Sequence, residues 1–323
     1  DALPIYIQEV EHKPGYLPND EVYSFDASYT DQTLELLAFS EEISNQPTIT
    51  EFTKVDLTGG QEIEGAKMQI LDQDGKVVEE WVSKKEPHVV YALEPGEYVL
   101  HEEQAPTEQG YVRAEDVKFV VEETGDVQKV KMEDDHTKVS ISKTDITDGK
   151  EIEGAKLQIL DQDGEVVESW TTGEEHLIEY LPIGTYTLHE EAAVDGYIVA
   201  NDVEFTVEET GEIQKVKMED ERAMGQLVIV KTDTDSKTAL EGVEFVLLEK
   251  ETGEEVGRLK TGKDGKAVSE LLPIGTYENG VFKEPITYVL KETATLKGYE
   301  KTEEEWEIVF TYQDRKSTRL NSS

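Results

Sequence analysis

The sequence contains no cysteine, only three tryptophans, and 31 basic residues against 73 acidic ones, for a formal net charge of −42. Without cysteine there can be no disulfide, no thiolate-bound metal and no thiol nucleophile. The charge balance excludes nucleic acid as a partner, because neutralising phosphates requires Lys and Arg. It argues against an anionic membrane surface for the same reason. No apolar run is long enough to cross a bilayer, and no secretory leader is visible. Also lacking are a Gly-rich phosphate loop, a nucleophile elbow and a His-based triad, so no enzyme acting on an external substrate is expected. Cofactors and metals are not expected either. "DQDG" at 72–75 and 161–164 lacks the later ligands of a calcium loop and reads as a hairpin turn, and "DTDS" at 233–236 reads as a loop. His101 and His189 have no second histidine at ligand spacing.

What is present is a hydrophobic fraction of 37% and 14 tyrosines, too much for an acidic disordered tail. Repetition then decides the organisation. "EIEGAKMQILDQDGKVVEEW" (62–81) returns as "EIEGAKLQILDQDGEVVESW" (151–170), and "EETGDVQKVKMED" (122–134) as "EETGEIQKVKMED" (208–220). A diverged copy contains "LLPIGTY" and "YVLKETATLKGY". A period just under about ninety residues is too long for a solenoid and suits a string of small domains. The expected division is 1–46, the C-terminal part of a truncated copy; 47–136 and 137–222, complete copies; 223–314, a copy lacking its last strand; and 315–323. That final "RKSTRLNSS" is basic, unlike the matching repeat segment, and is expected to be non-native. The opening "DALPIYIQEVEHKPGY" starts in the middle of a pattern, so the chain is expected to be a piece of a longer protein.

Within each copy, short stretches such as "AKLQILD", "TYTLHE" and "QKVKMED" alternate apolar and polar residues between turn signals. About seven short strands per copy is β-sandwich spacing. The fold expected is all-β, with no helix of useful length. Trp81 and Trp170 occupy matching strands and are expected to pack in the core or between sheets. The insertion "ENGVFKEP" at 278–285 is expected to lengthen a loop in the third copy alone.

Alternate residues of a strand face one side. On that rule Phe52 shares a face with Lys54, Tyr98 and Leu100 with Glu102, and Val130 and Met132 with Asp134. The second copy repeats the pattern: Val139 and Ile141 with Lys143, Tyr186 and Leu188 with Glu190, Val216 and Met218 with Asp220. Taken singly, each charge could lie at a strand end and turn out to water. Recurring together at nearly constant spacing, they point to a coupled buried site, because lone buried charges cost several kcal/mol or more.

The combination of "KTD", "EGAKLQILD", "LPIGTYTLHEEAAVDGY" and "VKMED" resembles the Cna B-type, prealbumin-like (SpaA-type pilin) domain of Gram-positive surface adhesins and pilins, over residues 1 to about 314. The resemblance implies tandem immunoglobulin-like sandwiches in a linear array. It also implies a spontaneous isopeptide bond between a first-strand lysine and a last-strand Asp or Asn, assisted by a buried acid. By position this would join Lys54 to Asp134 with Glu102, and Lys143 to Asp220 with Glu190. The third copy offers Lys231 and Glu292 without an acceptor; the leading one offers Glu9 and Asn45 without a lysine. The function implied is a stalk or spacer of an extracellular, cell-wall-anchored protein. Its partners would be neighbouring domains of the same chain, with host matrix contacted by a distal head outside it. The competing reading is a binding module whose repeats themselves contact a matrix protein or glycan.

Overall fold

A computed structural model describes residues 4–25 and 40–311 of the chain; the 315–323 segment lies outside the described residues. Two compact units divide the chain. One comprises Asp1–Lys138, Glu179–Ile183 and Val207–Ile213; the other comprises Val139–Ile178, Gly184–Thr206 and Gln214–Ser323.

The first unit begins with a hairpin pair, β1 (Ile5–Gln8) and β2 (Val22–Phe25). Seven strands of the first complete copy follow: β3 (Ile49–Asp56), β4 (Lys67–Leu71), β5 (Val77–Val82), β6 (His88–Tyr91), β7 (Gly96–Gln104), β8 (Val117–Val121) and β9 (Val127–Asp134). They form a three-stranded sheet, β6-β3-β9, and a four-stranded sheet, β5-β4-β7-β8. Helical structure among the described residues is one 3₁₀ turn, Thr107–Gln109. The β4–β5 turn works as its sequence suggests. The Asp72 carboxylate accepts the backbone N–H groups of Asp74 and Lys76, and Gly75 takes the left-handed φ of +77°. Phe52, Met68, Ile70, Leu100 and Met132 fill the space between the sheets.

The second copy, most of it in the second unit, repeats this plan. Its strands are β10 (Lys138–Asp145), β11 (Lys156–Leu160), β12 (Val166–Thr171), β13 (His176–Glu179), β14 (Gly184–Ala192), β15 (Val203–Val207) and β16 (Ile213–Asp220). The sheets are β13-β10-β16 and β12-β11-β14-β15. In both copies the first and last strands are neighbours, and β3 runs parallel to β9. The chain therefore enters and leaves the copy on adjacent strands.

The third copy departs from the plan. Its strands are β17 (Met224–Gly225), β18 (Val228–Val230), β19 (Glu244–Glu249), β20 (Glu255–Lys260), β21 (Lys266–Val268), β22 (Leu272–Pro273), β23 (Gly275–Glu278), β24 (Val281–Pro285), β25 (Thr287–Ala294) and β26 (Glu305–Val309). The sheet β20-β19-β25-β26 matches the four-stranded sheet of the other copies. Among the described residues β18 pairs with β21 alone. The segment expected to be a lengthened loop is instead the β23–β24 hairpin. Its register shift and the left-handed Asn279 and Gly280 close a tight turn.

Trp81 and Trp170 are half-buried and stacked on His88 and His176 at 4.3 and 4.5 Å, and Trp81 packs against the core cluster through Phe52 at 5.5 Å. The segment 135–137 leading into the second copy is packed, with His136 and Thr137 buried.

Candidate cross-linking sites

The β3–β9 register pairs Lys54 with Met132 and Asp56 with Asp134. Lys54 and Asp134 thus project from the same face of neighbouring strands, and Lys54 Nζ donates to Asp134 Oδ1. Glu102 comes from β7 in the opposite sheet, where it stands across from Met68. Its Oε2 lies 2.9 Å from Lys54 Nζ and also accepts the Ala114 backbone N–H at 2.8 Å. All three side chains are buried, with Glu102 and Asp134 at 0% exposure. The second copy rebuilds the site. Lys143 Nζ donates to Asp220 Oδ1, lies 3.1 Å from Glu190 Oε2, and the Ala200 N–H reaches that oxygen at 2.6 Å. The residues singled out by strand parity are therefore brought together twice.

One oxygen of each carboxyl is left over. Glu102 Oε1, Asp134 Oδ2, Glu190 Oε1 and Asp220 Oδ2 are buried with no donor. An unsatisfied buried acceptor costs about 1–3 kcal/mol, more if charged. The two carboxyls of each site also interact with each other through a hydrogen bond. The Asp134 carboxyl is pushed up to about 7, chiefly by burial and against the pull of Lys54; the charge of Glu102 and a hydrogen bond with it add to the rise. Asp220 is pushed up to about 7 in the same way, by burial against Lys143, with Glu190 adding. The arrangement sets an amine against a carboxyl that retains its proton near neutral pH, beside a second carboxyl able to pass protons, with bulk water excluded.

The incomplete copies keep their halves of the site. Glu292 Oε2 is 2.8 Å from Lys231 Nζ, but the Lys231 side chain is 27% exposed, and no acceptor meets it among the described residues. Its Glu292 Oε1 is again without a donor. In the leading piece, Asn45 Nδ2 donates to both Glu9 oxygens at 2.8 Å, and the Asn19 backbone N–H reaches Glu9 at 2.7 Å. The backbone bond from Asn19 and the side-chain bond from Asn45 hold the Glu9 carboxyl below its ordinary value.

Sequence reasoning passed over several residues at the site's edge. Glu62 and Glu151 accept the backbone N–H groups of Lys54 and Lys143, each at 3.1 Å. Asp56 and Asp145, two residues after each lysine, are wholly buried. Burial raises the Asp56 carboxyl, but bonds from the Thr58 hydroxyl, the Gly59 N–H and the Tyr180 hydroxyl outweigh it and hold the group well below its usual range. The available signal was the repeated Lys-x-Asp of "KVDLTGG" and "KTDITDG".

The family model of the SpaA prealbumin-like fold domain matches three successive segments, 48–136, 137–222 and 225–322. The chain belongs to this prealbumin-like domain family. Among solved structures, its prealbumin-like copies are similar to the Bacillus anthracis TIE protein, with 28% identity and a TM-score of 0.55 over 81% of this chain and 48% of that one. The chain thus spans about half the length of that protein. Matches with 16% identity include BcpA, the major pilin subunit of Bacillus cereus (80% of this chain, 94% of that one, TM-score 0.46). A Streptococcal ancillary pilin also matches at 16% identity (83% and 96%, TM-score 0.35). No curated protein matches the sequence. No helix among the described residues is long and apolar enough to cross a membrane.

Proposed function

We propose that each complete copy closes one amide across its first and last strands, Lys54 to Asp134 and Lys143 to Asp220, with Glu102 and Glu190 as the assisting acids. The observation that supports it most is the buried trio itself, an amine against a carboxyl held up near 7 with a second acid in contact, occurring twice in one chain. In the reaction the neutral Nζ attacks Cγ of the aspartic acid and forms the C–N bond. The bond from Cγ to the hydroxyl breaks, and one amine proton, relayed by the glutamate, joins that hydroxyl to leave as water. Enforced proximity in a dry site stands in for chemical activation. The step occurs once per copy, a single turnover on the chain's own residues.

The repeat boundaries that go with this reading are 47–136 and 137–222 for the closed copies and 223–314 for the third, with 1–46 the end of another. Tension arriving on β3 and leaving on β9 would pass through the amide without unzipping the sheets. That is the property of a stalk or spacer in a surface adhesin or pilin anchored to a Gram-positive cell wall. The test is the intact mass of the purified chain. It should fall two waters below the sequence mass, and Glu102→Ala combined with Glu190→Ala should restore the full value. A parent chain at full mass sinks the proposal.

A further inference from the structure

The β23–β24 hairpin of the third copy has a use that its sequence did not suggest. Its Tyr277 hydroxyl donates to the Gly196 carbonyl at 2.5 Å, and the Tyr197 hydroxyl of the second copy donates back to the Gly280 carbonyl at 3.0 Å. Tyr197 is completely buried by this arrangement. Gly196 has a left-handed φ of +87°, and a Cβ there would lie 2.5 Å from the Phe282 ring and 2.8 Å from the Tyr277 hydroxyl. A Cβ on Gly280 would collide with the Glu151 backbone. Both glycines are therefore points of backbone contact between the copies. Arg222 is the keystone. Its Nε donates to Asp145 at 2.6 Å, its Nη2 to Asp148 at 2.9 Å, and its guanidinium lies 4.4 Å from the centre of the Tyr277 ring.

The first unit contains a related joint. Tyr180 donates to Asp56 at 2.8 Å and stacks on His136 at 3.9 Å, and the backbone of Tyr180 covers Gly110. Asp56, Gly110 and His136 correspond in the repeat to Asp145, Gly196 and Arg222. The third copy has Leu271 at the position of Tyr180, and it is 62% exposed. The hairpin supplies the aromatic ring that this position no longer offers.

We infer that the β23–β24 hairpin, Gly275–Glu278 with Val281–Pro285, is a docking element, and that the surface made by Gly196, Tyr197, Asp145 and Arg222 is its receptor, fixing the third copy to the second. Asp145 lies two residues beyond Lys143, and Arg222 two beyond Asp220, so the docked hairpin grips the ends of the same two strands that carry the cross-linking pair. This inference does not depend on the amide having formed.

Because the chain lacks cysteine, spin labels can be placed at will. The exposed Gln162 and Lys263 are replaced by cysteine in the full chain, and the distance distribution between the labels is measured. A narrow distribution is expected. It should at least double in width in Arg222→Ala with Tyr277→Ala, and broaden less in the milder variants Arg222→Lys and Tyr277→Phe. A distribution already broad in the parent, or unchanged in all the folded variants, overturns the inference. Intact mass of the same samples reports the cross-link separately, so the loss of one property is not mistaken for the loss of the other.

Discussion

Asp134 meets Lys54 diagonally: its strand partner is Asp56, yet its carboxyl turns back along the pair to the lysine amine. Neither residue reaches the other by length of chain, since 80 positions separate them. The parallel pairing of first and last strands creates the contact, and Glu102 completes it from the facing sheet.

Glu102→Gln tests the proton relay with little change of shape. The glutamine carbonyl can still accept the Ala114 N–H, but the side chain no longer exchanges protons. Loss of general acid–base assistance costs about 10²–10⁴-fold in rate. Freshly folded chain should therefore show the mass of one closed copy, the second, for long after the parent shows two. Equal rates in parent and variant would remove Glu102 from the mechanism.

Asp220→Ala addresses stability. Lys143 and Asp220 lie 77 positions apart, and by the loop-entropy relation for cross-links an amide there is worth about 4–5 kcal/mol. For a domain of this size each kcal/mol moves the midpoint by about 4–8 °C. Calorimetry of the variant should show the second copy melting at least about 15 °C lower. A shift of under about 5 °C would mean that no covalent link was lost.

How much of this was legible beforehand follows from the physics of each part. The two-residue period of a strand made the inward faces readable, so Met132 with Asp134 and Leu188 with Glu190 could be placed from the sequence alone. The repeat showed that the trio was no accident. The joints were not readable. His136 and Arg222 stand in polar runs, and they are covered by Tyr180 and Tyr277, residues distant in sequence whose approach no local period encodes. The insertion at 278–285 read as a loop because the two strands it helps to form, Gly275–Glu278 and Val281–Pro285, are short and their partner surface is distant in sequence.

The raised carboxyls predict a pH dependence. Asp134 and Asp220 sit near 7, against an ordinary 3.8. Before condensation the native state therefore keeps a proton that the unfolded chain releases near 3.8, and the stability of the uncondensed fold decreases as pH rises through that window to about 7. Freshly folded chain whose mass shows no water yet lost should therefore unfold in less denaturant at about pH 7 than at about pH 5. The reverse order contradicts the assignment.

Lys231 supplies an internal control. It contacts Glu292 at 2.8 Å and meets no acceptor among the described residues, so it should remain a free amine. An amine-acylating reagent applied to the denatured chain should label Lys231 but not Lys54 or Lys143, since unfolding exposes buried amines but does not restore amides. Equal labelling of all three lysines would mean that burial alone, not a bond, had protected the other two.

Asp220→Asn gives the closest test of the chemistry. An asparagine acceptor loses ammonia where aspartate loses water, yet the amide left behind is the same group on the same two residues. The parent and the variant are encoded as different chains and should converge on one identical mass once closed. Closure of the variant should be slower, because the amide nitrogen is a poorer leaving group than the hydroxyl of the protonated acid that Asp220 presents near neutral pH. If the two proteins keep the mass difference of their sequences indefinitely, Asp220 is not the residue that Lys143 attacks.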